Sequence, residues 1–285
     1  MLHNAIERIL EAQAVWADPL GKLFVAIFAA LYKPVPILKD LLNGVWLGHP
    51  LHPAITDVPI GAYVVAVVLD FSGQRAAATA AIGVGIVFMV LAALAGYADY
   101  IDLEGKSRRF GTVHSSLMLV ALVLYLVSFV MRLGAVPSPT EVWLSVIGFL
   151  IVITSAYVGG ELVYNLGTQV DRHAWRGAGM QTKWTALDVT DIPPDKPVKA
   201  KAGAQTLVVV RRGTGLDALH DVCAHQGCSL SEGKIVGETI ECQCHGSRYR
   251  LRDGLVVRGP AVVDQPHFEV REAEGKIEVR RTDTR

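Results

Sequence analysis

Two short segments of this 285-residue chain gather the residue types that bind transition metals. The first, VCAHQGCSL, contains Cys223, His225 and Cys228. The second, ECQCHGSRYRL, contains Cys242, Cys244 and His245. Read as ligands they give Cys-x-His, an interval of sixteen residues, then Cys-x-x-His. Two thiolates and two imidazoles suit a two-iron, two-sulfide centre with cysteine on one iron and histidine on the other. The same donors in pairs also suit a structural zinc site, or a disulfide pair with incidental histidines.

The continuation HGSRY after the second pair, the Gly254 turn, and a Gly-Pro-Ala segment at Gly259–Ala261 carry a more specific signal. Together with the ligand spacing they resemble the Rieske [2Fe–2S] family over roughly Thr182–Arg285. The resemblance implies an antiparallel β-sandwich with Cys223, His225, Cys242 and His245 on two loops at one tip. The Gly-Pro-Ala loop would cover the cluster. It further implies that Cys228 and Cys244 form the disulfide of the high-potential Rieske proteins of cytochrome bc complexes. Ser247 and Tyr249 match hydroxyls that donate to cluster sulfurs in that group, which stabilises the reduced state and raises the potential. Arg250 stands where an acid is common, adding positive charge near the cluster.

A second group of ionisable residues sits in apolar sequence. GHPLHPAITDVPIG contains His49, His52 and Asp57; GYADYIDLEG contains Asp99; TVHSS contains His114. Charged or titratable side chains at membrane depth are expensive and usually functional. The HPxHP pattern, with the later AYVGGELVYNLG, resembles a family of four-helix bacterial membrane domains over about Gly48–Val170. His114 opposite His49 or His52 could ligate a b-type heme; His49 and His52 are too close in sequence to sit trans on one iron. The same residues also suit a quinone-head, proton or non-heme metal site, or helix-end hydrogen bonding.

The elements that must position these groups divide sharply. Overall 51% of the chain is hydrophobic, but the long apolar runs end near Val163 and all four cysteines follow them. A helix needs about 20 apolar residues to cross a bilayer. Ile55–Phe71, Ala76–Tyr97, Val113–Leu133 and Val142–Val163 meet or approach this, while Leu20–Leu31 reads as an amphipathic interfacial helix ended by Pro34 and Pro36. The expected fold is multidomain: an N-terminal interfacial segment (1–47), a four-helix transmembrane bundle (48–170), a linker (171–181), and an all-β Rieske sandwich (182–285).

Four spans put both termini on one face. That face carries Lys33, Lys39, Lys106, Arg108, Arg109, Arg172 and Arg176, against Arg75 and Arg132 opposite, so the charge bias places the N-terminus and the β half in the cytoplasm of a bacterial inner membrane. No basic n-region precedes an apolar stretch at the N-terminus, so no signal peptide is expected. Zero net charge gives no sign of nucleic-acid binding. A disulfide in a reducing compartment must be shielded or low in potential. The expected function is a non-catalytic electron-transfer subunit passing electrons between a cytoplasmic-face oxidoreductase, possibly of the hydrogenase class, and the quinone pool. A redox-sensing or assembly protein and a quinol-oxidising subunit are the other readings.

Overall fold

The structure, a computed structural model, describes residues 2–174 and 183–281. Arg176, most of the expected linker and the start of the β half at Thr182 lie outside the described residues. Two compact units are formed, one from Met1–Leu42 and Leu51–Thr168, the other from Asn43–Pro50 and Gln169–Arg285.

The first unit is helical: α1 (Leu2–Glu11), α2 (Ala14–Tyr32), α3 (Pro36–Asn43, which ends in the second unit), α4 (Leu51–Phe71), α5 (Arg75–Tyr100), α6 (Gly105–Arg132) and α7 (Pro139–Gly160). Ser138, whose hydroxyl accepts from the Thr140 N–H, and Pro139 at the first helical position open α7. α4 pairs with α5 and α6 with α7; the two hairpins meet through α5–α6 and α4–α7, leaving α4 and α6 on the diagonal. Tyr63 and Tyr125 stack at 3.6 Å in the buried centre, each filling the space left by a glycine, Gly85 and Gly148.

Among the described residues five helices, not the expected four, are long and apolar enough to cross a membrane, because α2 qualifies. Asp18 and Pro19 interrupt its apolar run in sequence. In the fold Pro19 is accommodated inside the helix, and Asp18 accepts from two of the three guanidinium nitrogens of Arg109, Nε and Nη2 (2.9 and 2.8 Å). Gly21 lies against Tyr100 and Thr112, Phe28 stacks on Tyr97 at 3.7 Å, and the Tyr32 hydroxyl donates to the Leu94 carbonyl (2.8 Å). From Gly21 to Tyr32 the helix rises about 16 Å, while its contacts move from Tyr100 to Leu94, only about 9 Å along α5. α2 therefore slants across the bundle. Lys39 of α3 then pairs with Asp102 (2.6 Å), so the α2–α3 segment is tied at both ends to the α5–α6 junction. Lys106 and Arg109 also hold α1 through Glu7 and Glu11.

At the far end of the bundle, Arg132 is fully buried and donates twice to Asp70 (2.7 and 2.6 Å), with Ser128 and Ser145 completing its partners. Arg75 pairs with buried Glu141 (2.5 and 2.9 Å).

The second unit is built on two antiparallel sheets. The larger has six strands in the order β1 (Thr185–Ala186), β10 (Lys276–Arg281), β9 (His267–Ala273), β4 (Gly215–His220), β3 (Gln205–Arg212), β2 (Val198–Ala202). The smaller runs β5 (Lys234–Val236), β6 (Thr239–Glu241), β7 (Arg248–Arg250), β8 (Val256–Arg258). The centre of β3, Leu207–Val210, is apolar without interruption because both its faces are buried there. Val208 and Val210 pack with Ile240, Tyr249 and Leu251 of the smaller-sheet region, and Leu207 and Val209 pack with Phe268 and Val279 on the other face.

Removing one member of the Asp70–Arg132 pair leaves an uncompensated buried charge. Asp70→Asn or Arg132→Leu should each cost about 3–5 kcal/mol, and the Asp70→Leu/Arg132→Leu double variant should recover much of that loss. Thermal unfolding in detergent reads this; a double variant no more stable than either single one would contradict the pairing as the clamp.

Candidate metal centre

The two cysteine–histidine segments fold into matching turns. In the first, between β4 and β5, the Cys223 N–H donates to the Cys228 carbonyl (2.8 Å) and the Gly227 N–H to the Cys223 carbonyl (2.9 Å). In the second, between β6 and β7, the Cys242 N–H donates to the Ser247 carbonyl (2.8 Å) and the Gly246 N–H to the Cys242 carbonyl (3.0 Å). Gly227 and Gly246 both adopt left-handed backbone (φ +86° and +81°), which only glycine enters without penalty.

The turns bring all four expected ligand residues together. Cys223 and Cys242 are buried free thiols within hydrogen-bonding reach of each other, and the His225 and His245 rings lie 4.9 Å apart. His245 Nε2 is buried with no hydrogen-bond partner among the described residues. Two converging thiols, two adjacent imidazoles and an unmet buried ring nitrogen are the donor set that a [2Fe–2S] group requires. Cys228 and Cys244 are disulfide-bonded, joining the two turns, and their sulfurs lie within 4.8 Å of Cys242 Sγ.

Tyr249 Oη lies 3.3 Å from Cys223 Sγ. Burial, then the neighbouring sulfur, holds its phenol protonated far above the ordinary tyrosine range, so it remains a donor. Ser247 is buried, and its Oγ accepts from the Ala261 N–H (3.0 Å), tying the Gly-Pro-Ala loop to the second turn. Arg250 does not add free charge near this site: its guanidinium is engaged by Asp253 three residues on (2.6 to 3.0 Å).

Two supporting residues carry no motif in the sequence. Gln265, nearly fully buried, accepts from the Ala224 N–H (3.0 Å) and donates to the carbonyls of His220 and Val222 (2.6 and 2.7 Å), gripping the first turn from below. Asp221 accepts from the Ser229 hydroxyl (2.6 Å) and the Ser231 N–H (2.7 Å). Burial works against its charge, but these bonds hold its carboxyl below the usual range. Asp221, two residues before Cys223, carries that position as its signal in the sequence; Gln265, twenty residues beyond His245, carries none.

Of the membrane-face candidates, His52 and His114 come together, with ring centroids 6.2 Å apart. Asp57 is exposed on α4 and Asp99 is buried near the end of α5. His49 belongs to the other unit, with its Nδ1 3.2 Å from the Pro50 carbonyl.

Comparison with known proteins agrees with the two-part organisation. Residues 183–269 match the Rieske [2Fe-2S] domain and residues 48–172 a predicted membrane protein domain, DUF2231. Ferredoxin CarAc of Metapseudomonas resinovorans is 38% identical over 28% of this chain and 74% of its own length. The anthranilate 1,2-dioxygenase ferredoxin subunit of Burkholderia cepacia is 31% identical over 34% of this chain and 91% of its own. The cytochrome b6-f complex iron-sulfur subunit of Chlorobaculum tepidum is 34% identical over 26% and 39%. Among solved structures, a chain of the complex of reduced oxygenase and oxidised ferredoxin in carbazole 1,9a-dioxygenase is 33% identical over 35% of this chain and 94% of that one, with a TM-score of 0.32.

Gln265→Leu removes three hydrogen bonds from the first turn, leaving the Ala224 N–H short of its partner and the Val222 carbonyl with His173 Nε2 alone, and should lower the stability of the β unit by about 2–3 kcal/mol. Its denaturation midpoint measures this, and an unchanged midpoint would mean that the first turn is held without Gln265. Ligand turns, donor set and sequence matches lead to one conclusion: the chain belongs to the Rieske [2Fe–2S] family, carried here with a membrane domain.

Proposed function

We propose that Cys223, His225, Cys242 and His245 hold the cluster of a membrane-anchored electron-transfer subunit. It passes electrons between a peripheral oxidoreductase, such as a hydrogenase-like dehydrogenase, and the quinone pool. The observation that supports this best is the convergence of two thiols and two imidazoles on matching turns, with a protonated Tyr249 against the Cys223 sulfur. When bound, the cluster supplies one-electron redox chemistry. The chain's own residues set the conditions for it. Tyr249 donates to a ligand sulfur and favours the electron-rich state; Ser247, fixed by Ala261, is a second hydroxyl in the same layer; the Cys228–Cys244 disulfide keeps the two turns joined.

The relatives support a carrier, since they are named as ferredoxin components and as an iron–sulfur subunit. The membrane half supports an electron exchange partner within the bilayer, a heme or quinone at His52 and His114. Lys33, Lys39, Lys106, Arg108 and Arg109 support a cytoplasmic β half in a bacterial inner membrane. Several are ion-paired, but orientation follows the count of Lys and Arg rather than net charge.

Full-length protein in liposomes, reduced with dithionite, should give the rhombic EPR signal of a histidine-ligated [2Fe–2S] centre, and a short-chain quinone should discharge it. His225→Ala and His245→Ala should abolish the signal. Tyr249→Phe and Ser247→Ala should each lower the midpoint potential by roughly 40–90 mV, one hydrogen bond of about 1–2 kcal/mol. Zinc in place of the signal would refute the cluster assignment, and a signal that quinone leaves untouched would refute the relay.

A further inference from the structure

The membrane helices contain an internal repeat. His52, Tyr63 and Asp70 of α4 recur 62 positions later as His114, Tyr125 and Arg132 of α6. Gly85, Ala92 and Gly96 of α5 recur 63 positions later as Gly148, Ser155 and Gly159 of α7. Contacts repeat with the residues. His52 Nδ1 lies 2.8 Å from the Ala92 carbonyl oxygen, and His114 Nδ1 lies 2.8 Å from that of Ser155. A Cβ at Gly96 would come within 2.8 Å of the His52 ring, and one at Gly159 within 3.3 Å of His114. The two hairpins are copies, and equivalent residues of α4 and α6 meet across the diagonal: Tyr63 on Tyr125, Asp70 on Arg132, His52 facing His114.

An imidazole whose Nδ1–H donates to a carbonyl keeps its lone pair on Nε2, and this is how metal-bound histidines are usually oriented. The His52 and His114 rings have 6.2 Å between centroids and 88° between planes. Imidazoles trans on one iron, each about 2 Å from it, have centroids roughly 6 Å apart; a tetrahedral ion would draw them to roughly 5 Å. Around the pair, α5 presents Ala92 and Gly96 and α7 presents Ser155 and Gly159. The polar side-chain atom among these, Ser155 Oγ, is taken up by His114, 3.0 Å from its Nδ1 and donating to its carbonyl (3.0 Å), so these four offer no free side-chain ligand for the equatorial positions of an octahedral metal. A macrocycle supplies those itself. His52 and His114 are half-buried as residues, Ala92 and Ser155 behind them are buried, and Ser116 Oγ, two residues beyond His114, is buried without a hydrogen-bond partner among the described residues.

We propose that His52 and His114 are the axial ligands of a b-type heme seated on the internal twofold axis of the membrane half. This deepens the electron-transfer reading by naming the group within the bilayer that exchanges electrons with the Rieske centre.

The test uses the full chain, expressed with heme precursor, purified in detergent and examined by reduced-minus-oxidised spectra, metal analysis and cluster EPR. Wild-type protein should show low-spin b-type bands. His52→Ala and His114→Ala should each lose at least tenfold of the heme, and Gly96→Ala should lose heme by displacing His52. His49→Ala should keep it. Every variant should retain the Rieske EPR signal, which reports that the β half has folded, and a monodisperse elution in detergent, which reports that the helical half has. His114→Met should keep heme with a shifted potential, since thioether can replace imidazole on heme iron. Heme-free wild-type protein with an intact cluster signal, heme persisting in His114→Ala, or a non-heme metal lost in that variant would each overturn the proposal. Heme bands that behave as expected in protein lacking the cluster signal would support the site while refuting the Rieske relay.

Discussion

Four soft and borderline donors from segments sixteen residues apart have to converge on a pair of irons, and most of the β half can be understood as the solution to that closure problem. Each donor segment is bent into a turn whose first cysteine bonds five residues ahead and whose glycine bonds back to that cysteine. The geometry is the same twice, and left-handed glycine at Gly227 and Gly246 makes it possible both times. The β5–β6 hairpin spaces the turns, and the Cys228–Cys244 disulfide joins their far ends. Below them, Gln265 and Asp221 use side chains to satisfy backbone groups that the turns leave unpaired. A buried loop is otherwise expensive, because its amides have no ladder to join.

The membrane half answers a related demand in a different solvent. Lipid completes no hydrogen bond, so each polar side chain in the bundle must find its partner within it. Asp70 and Arg132, Arg75 and Glu141, and the two histidines with their carbonyls all do so. These polar groups lie toward the two ends of the bundle, and the stacked tyrosines occupy the apolar stretch between them. Polar groups at each end fix how the hairpins register, while packing at the centre fixes how closely they approach.

Sequence was informative where residue type alone decides the outcome. Thiolates and imidazoles at that spacing leave few chemistries, and helix-length apolar runs leave few folds. It was less informative where a partner decides. The apolar run of α2 reads as Leu20–Leu31, short of a span, whereas the helix extends back to Ala14 through Asp18, whose carboxylate is met by the Arg109 guanidinium. Arg250 looked like free charge until Asp253 was found holding it. Gln265 has no motif, since its importance lies in three backbone groups contributed by residues more than forty positions away. The repeat was concealed because few residues are identical between copies and the offset shifts by one between the first and second helix of each hairpin.

That repeat explains which of the residues that face each other across the axis are alike and which are not. Wherever two copies of a hairpin meet on a twofold axis, a residue on that axis faces its own equivalent. Stacked aromatic rings tolerate that identity, and Tyr63 and Tyr125 have kept it. Two buried carboxylates or two buried guanidinium groups do not, since like charges in low dielectric repel strongly, and here one copy carries Asp70 and the other Arg132. Histidine is intermediate: a facing pair is tolerable while both rings are neutral and is favourable once something electron-poor lies between them. His52 and His114 have stayed identical and kept equivalent carbonyl partners on equivalent helices. Packing alone gives no reason to keep an imidazole at both positions, because a glycine opposite each ring had to be kept with it. A shared ligand role, as proposed, accounts for the matched rings, glycines and carbonyl partners together, where two separate helix-end hydrogen bonds account for each only singly.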